Sequence, residues 1–211
     1  MRFVNRSLKD AYLLNRGTVA CGLTSDAIAA GVHFAYRTLD LIDAKLLESG
    51  LTRLAGLIEL ANLSTIIGNL IAVGIIKAAP KVFSKAGAHK YQDLRSAKCA
   101  DENVEIKVAL EKNQPKAHLA KEGYYLTFRY VLSDEKATPM EDRGDMPWIW
   151  EIRFGHLELR DFNVSNTDGD SGKTAVVNAA GMAKLTVIYQ DPTFLPRRRV
   201  RAKTALLPLL K

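Results

Sequence analysis

The chain reads as an α/β protein, with a helical N-terminal part followed by a mixed β-sheet core flanked by helices. Three observations predict this. Thr24-Ser25-Asp26 is a helix-capping signal, and the apolar residues after it, Ile28, Val32, Ala35, Leu39, Ile42 and Leu46, recur at helical spacing. Leu60 to Ile76 is free of charge between Glu59 and Lys77. From about residue 103 onward, short runs of alternating apolar and polar residues take over, the period of strands. Helices first and a sheet afterwards make a layered α/β domain.

The first helix should end at Glu48-Ser49-Gly50, and a second should run from about residue 51 to Ala79, where Pro80 stops it. Strands are expected at about 103–111, 123–133, 147–154 and 156–163, with Gly155 turning the last two. Trp148, Trp150 and Ile152 would share a core face of the third of these. A short helix around 174–183 and a strand at 185–189 complete the core. All 211 residues are read as one domain, 1–80 mainly helical and 81–211 the sheet core with a basic C-terminal arm.

The uncharged run of the second helix approaches the length of a membrane span. Asn62, Ser64, Thr65 and Asn69 interrupt it, which favours a buried or dimer-interface helix and no membrane partner. Arg2 and Arg6 are not followed by an apolar segment and cleavage site, so no secretory signal is expected. Cys21 and Cys99 form no metal-binding pair, and the four histidines are scattered, which excludes a zinc site and makes a reduced, cytoplasmic setting the default.

Charge is distributed unevenly. The net charge is +7, yet residues 197–211 alone hold six Lys and Arg and no acid. Residues 77–98 are basic as well, with Asp93 as their one acid. Basic flanks suit a polyanion, and acids gathered between them suit a divalent cation.

Those acids have a pattern. In Asn103 to Leu110, Val104, Ile106 and Val108 occupy one strand face, so Glu105, Lys107 and Ala109 share the other. Asp93 stands twelve residues before Glu105, across a polar turn. If that turn closes a hairpin, two carboxylates and a lysine meet at one strand edge, an arrangement able to hold magnesium and place a water. Asp101 in the turn is the reserve acid and Glu59 a remote fourth.

At these residues the chain resembles the PD-(D/E)xK nucleases, and within them the type II restriction endonucleases. Asp93 matches the family's first acid, and Glu105-Ile106-Lys107 its acid-x-lysine; Gln92 replaces the proline before the first acid. The resemblance spans about residues 60–190. It implies a restriction-endonuclease-like fold and a Mg²⁺-dependent homodimer that cuts double-stranded DNA. Asp93, Glu105 and Lys107 would be catalytic, and Asp93, Glu105 and the backbone carbonyl of Ile106 would be the metal ligands. DNA contacts are expected from Lys90, Lys112, Lys116, His118, Lys173, Arg197, Arg198 and Arg199. The first two helices would form the dimer surface.

Gly169-Asp170-Ser171-Gly172-Lys173-Thr174 suggests a P-loop, but Thr167 stands where its first glycine is required, so nucleotide binding is rejected. Two rival classes remain: a structure-directed or repair nuclease on the same core, and a non-enzymatic interaction or membrane-associated protein built around residues 60–76.

Overall fold

The computed structural model describes residues 6–15, 17–85, 87, 92–139, 142–165 and 174–195. In chain order the elements are β1 (Thr18–Ala20), β2 (Leu23–Thr24), α1 (Ser25–Glu48), α2 (Leu60–Ala78), β3 (Phe83–Lys85), β4 (Leu94–Ser96), β5 (Val104–Leu110), β6 (Lys116–Ala117), β7 (Gly123–Ser133), β8 (Met146–Leu157), β9 (Phe162–Ser165), β10 (Thr174–Val177), α3 (Ala179–Lys184) and β11 (Thr186–Gln190). The fold is mixed α/β with few helices.

The capping signal works as read. Thr24 accepts a hydrogen bond from the amide of Ala27 at 3.1 Å and starts α1. Ile28, Val32, Ala35 and Leu39 are buried along it. Gly50, at φ +76°, closes the helix, and the amide of Leu51 returns to the Leu46 carbonyl at 2.9 Å. The second helix does not begin at residue 51 as expected. Asp43 captures the amide of Leu54 at 2.8 Å, and the Arg53 guanidinium reaches Asp43, Glu135 and Asp145. Those bonds hold 51–59 in turns, and α2 starts only at Leu60.

The main sheet has six strands in the order β11-β8-β7-β5-β4-β3. Neighbours are antiparallel except β5 and β7, which run parallel from Val104↔Tyr124 to Leu110↔Tyr130. A parallel pair needs a crossover. Here it is residues 111–122, which include β6 and no helix. The short strand pairs into a second sheet, β6-β10-β9.

Two cores result. On one face of the main sheet α1 and α2 bury Ile28, Val32, Ile67, Ile71 and Ile75 against Ile106, Phe128 and Ile152. On the other, Tyr125 and Leu157 pack under Phe162, Ala175, Val177, Met182 and Leu185 of the small sheet and the α3 region.

Three strand expectations are corrected. Residues 146–157 form one strand that runs straight through Gly155, paired there with Tyr125. The glycine serves close approach: a Cβ would meet the Leu185 side chain at 3.1 Å. Residues 174–177 are β10 and only 179–184 are helical, because the branched Thr174, Val176 and Val177 pair with β9 while Asn178 caps α3 through the Gly181 amide at 2.8 Å. A bulge opposite Arg129 and Tyr130 separates the tryptophans. Trp148 packs on Tyr36 of α1, whereas Trp150 lies by the Arg129 guanidinium.

The helix layer depends on one close crossing. A Cβ on Gly74 would lie 2.7 Å from the Phe34 Cβ and 2.8 Å from the Gly31 Cα, both on α1. Backbone cannot yield there as a side-chain tip can. Gly74→Val is therefore expected to cost about 1–3 kcal/mol in chemical denaturation. An unchanged midpoint would mean that the helices cross elsewhere.

Candidate active site

Strands β4 and β5 form the expected hairpin but touch at a single ladder pair, Leu94↔Val104. Its turn is tied by Asn103, whose Oδ1 accepts from the Ser96 amide at 2.8 Å and whose Nδ2 donates to Gln92 Oε1 at 2.9 Å. Beyond that pair the strands part. Asp93 fills the break: its Oδ2 accepts the Ile106 amide at 2.8 Å. An extended residue sends its N–H and C=O to the same side. The Ile106 carbonyl thus faces the edge where Asp93 sits.

Glu105 points to the other face of β5, buried, with 7% of its surface exposed. Its Oε1 accepts from Lys107 Nζ in a short ion pair, and its Oε2 accepts from the Gln92 amide at 2.8 Å. Burial pushes its carboxyl above the ordinary glutamate range; Lys107 opposes this and the nearby Asp93 charge adds to it. Asp93, Glu105, Lys107 and the Ile106 backbone lie together near one strand edge. Among the described residues no group of three or more His, Cys, Asp or Glu side chains converges. The oxygen donors available are therefore two carboxylates and a carbonyl.

Gln92 contributes more than its sequence position suggested. It sits at φ +73° and its N–H holds Glu105. A proline can supply neither. Gln92 is thus part of how this chain holds Glu105.

The edge opens on a cavity of about 540 Å³. One wall is α2, through Ala61, Ser64, Thr65, Gly68 and Asn69. The other includes Asp93, Lys107, Gln114, Lys116 and His118. Two of the residues expected at DNA, Lys116 and His118, therefore line the cavity, whereas Lys112 is exposed outside its lining. Asp101 lies in an exposed turn and Glu59 at the exposed start of α2; neither lines the cavity. Lys90, Lys173, Arg197, Arg198 and Arg199, and the 169–173 loop, fall outside the described residues.

Sequence reasoning missed the charges next along this sheet face. Ala109 pairs with Arg129, Arg129 with Glu151, and Thr127 with Arg153. Glu151, 2% exposed, bridges Arg129 at 3.0 Å and Arg153 at 2.7 Å. The Nε atoms of both arginines are buried and unpartnered among the described residues. Arg129 also donates to Gln114 Oε1 at 2.6 Å. In β7 Thr127 and Arg129 alternate with Phe128, and the parallel register sets their face beside Lys107 and Ala109.

No protein-family model matches this chain, and no curated protein matches it significantly.

Two outcomes follow from this geometry. Gln92→Pro is expected to cost about 2 kcal/mol or more, because it forces φ out of the left-handed region and deletes the donor to a buried carboxylate. A melt equal to wild type would refute that role for the amide. For Glu105 the sign follows from linkage. A carboxyl raised on folding loses stability as pH climbs from its unfolded value to its folded one, and the cost is full above both. Glu105→Gln, which cannot ionise, should melt higher than wild type near about pH 8, and the gap should shrink as pH falls to about 4. A variant that melts lower throughout would show that the Lys107 pair outweighs burial.

Proposed function

We propose that this protein is a Mg²⁺-dependent endonuclease that hydrolyses phosphodiester bonds of double-stranded DNA, acting as a sequence-specific type II restriction enzyme. The observation that carries the reading is the meeting of Asp93, Glu105 and Lys107 at one open strand edge beside a cavity with cationic side chains on its sheet-side wall.

The donor set fits the ion. Magnesium prefers oxygen, takes one or two carboxylates and fills its remaining positions with water and substrate phosphate. Asp93, Glu105 and the Ile106 carbonyl would hold it. When bound, it supplies neutralisation of the charge that develops on phosphoryl and leaving oxygens. Lys107 is fixed by Glu105 at the cavity, where its ammonium orients the attacking water or contacts a phosphate oxygen. Lys116 and His118 offer further contacts to the strand, with Lys112 on the surface nearby. Lys90, Lys173 and Arg197 to Arg199 extend the basic flanks by sequence. A cytoplasmic setting and the lack of a membrane partner belong to the same proposal, supported by the packing of Leu63, Ile67, Ile71 and Ile75 of α2 in the core. A homodimer, related through the helical layer, would match the two-fold symmetry of a near-palindromic site. Leu41, Leu51 and Leu57 give that layer exposed apolar surface.

Digestion of a mixed-sequence plasmid with Mg²⁺ tests the reading. Discrete bands are expected; a smear would favour the structure-directed nuclease, and no cleavage would sink the enzyme. Asp93→Ala and Glu105→Ala should each abolish cleavage while DNA binding persists, since phosphate contacts elsewhere remain. Lys107→Ala should lose most single-turnover cleavage, and Lys107→Arg should not restore it fully, because a guanidinium is wider and cannot give up a proton. Wild-type rates in Lys107→Ala would leave Glu105-Ile106-Lys107 an ordinary ion-paired strand.

A further inference from the structure

Resting on the nuclease reading, we infer that Gln114 is a substrate-binding residue: Arg129 fixes the orientation of its amide, and the Nε2 donor serves a phosphate oxygen of the bound strand. Two observations carry this. Arg129 Nη2 lies 2.6 Å from Gln114 Oε1. A guanidinium has donors and no acceptor, so the amide atom facing it must be the oxygen and the orientation of the side chain is fixed. Gln114 also lines the cavity that Asp93 and Lys107 line, and its half-buried side chain has Nε2 as the donor left for a ligand there.

The lock is rigid. Arg129 is itself held by Glu151 at 3.0 Å, and Glu151 is held by Arg153 at 2.7 Å. Arg153 in turn donates to the Met182 carbonyl at 3.0 Å. The glutamine therefore ends a buried ionic chain that crosses the sheet and reaches α3. Its backbone lies in the crossover 111–122, which Trp150 also ties down through the Glu111 carbonyl at 3.2 Å.

The lock selects the ligand. A glutamine with both amide atoms free can grip adenine in two hydrogen bonds. With its oxygen held toward Arg129, the amide turns its Nε2 donor away from the guanidinium, and that donor calls for an acceptor. Lys107 and Lys116 stand on the same wall with Asp93, and the acceptor that suits a donor beside two lysines is an anionic phosphate oxygen. Gln114 thus positions the strand and reads no base.

Gln114→Glu is the discriminating variant. A carboxylate keeps an acceptor for Arg129, so a structural role is preserved, but the donor toward the cavity is replaced by negative charge. Binding is measured on short duplexes of several sequences without divalent cation at fixed salt, with single-turnover cleavage in Mg²⁺ and a thermal melt alongside. The melt should match wild type or rise, while affinity falls about tenfold or more for every sequence. Should Gln114→Glu not fold, Gln114→Met, of similar length and with no donor, is expected to show a similar loss. Unchanged affinity in a folded variant overturns the inference, and so does a loss confined to one base position. A wild-type protein that binds no duplex overturns the nuclease reading itself, a result distinct from either.

Discussion

The site depends on the parting of β4 and β5 after one ladder pair. Had the hairpin zipped further, the inner edge of β5 would be consumed by backbone hydrogen bonds. Instead Asp93 takes the Ile106 amide with its side chain, which satisfies a donor that would otherwise be orphaned. One carboxylate thereby ends a ladder and leaves a carbonyl and a cavity beside it. Asn103 fixes where the break falls, by clamping Ser96 on one side and Gln92 on the other. The left-handed turn at Gln92 then aims an amide at Glu105 on the far face of the strand. Two acids near one strand edge are thus held by the same short stretch of backbone.

The second face of the sheet carries an unusual density of buried charge. Glu105 with Lys107, and Glu151 between Arg129 and Arg153, lie on three adjacent strands. Buried ion pairs are a poor source of stability, since desolvation offsets much of the attraction. The unpartnered Nε atoms of both arginines and the depressed proton affinity of Arg129, caused chiefly by burial, mark that cost here. A hydrophobic layer would serve packing at least as well. What the charges do achieve is orientation: they fix Lys107 at the lip of the cavity and hold Gln114 from behind.

What could be read from the sequence was local. Capping and period gave α1 almost residue by residue, and strict alternation gave β5 and β7. The hairpin joining Asp93 to Glu105 followed from turn composition. What failed depended on partners distant in the chain. Residues 51–59 look helical until Asp43, Glu135 and Asp145 claim Arg53 and Leu54. Gly155 looks like a turn until Leu185 packs on it. The tryptophans keep one face until a bulge shifts the register. The Arg129 cluster was hidden for the same reason, because a parallel pairing of β5 with β7 leaves no mark in either strand alone.

The charge-free run of α2 acquires a physical reason from this arrangement. Leu63, Ile67, Ile71 and Ile75 bury one side of the helix, which explains its apolarity but not the absence of charge from the remainder. Ala61, Thr65 and Asn69 are exposed and belong to the cavity wall. The opposite wall holds the lysines Lys107 and Lys116, with Asp93 beside them. A cavity with positive groups on one side and uncharged groups on the other draws an anion toward the charged side. For a DNA strand entering it, that bias runs toward Asp93, Glu105 and the divalent cation they would hold. Acids on α2 would repel the strand, and lysines there would pull the phosphate away from the strand edge. Small, neutral, polar residues on the helix leave placement to the sheet, where the side chains are most firmly held.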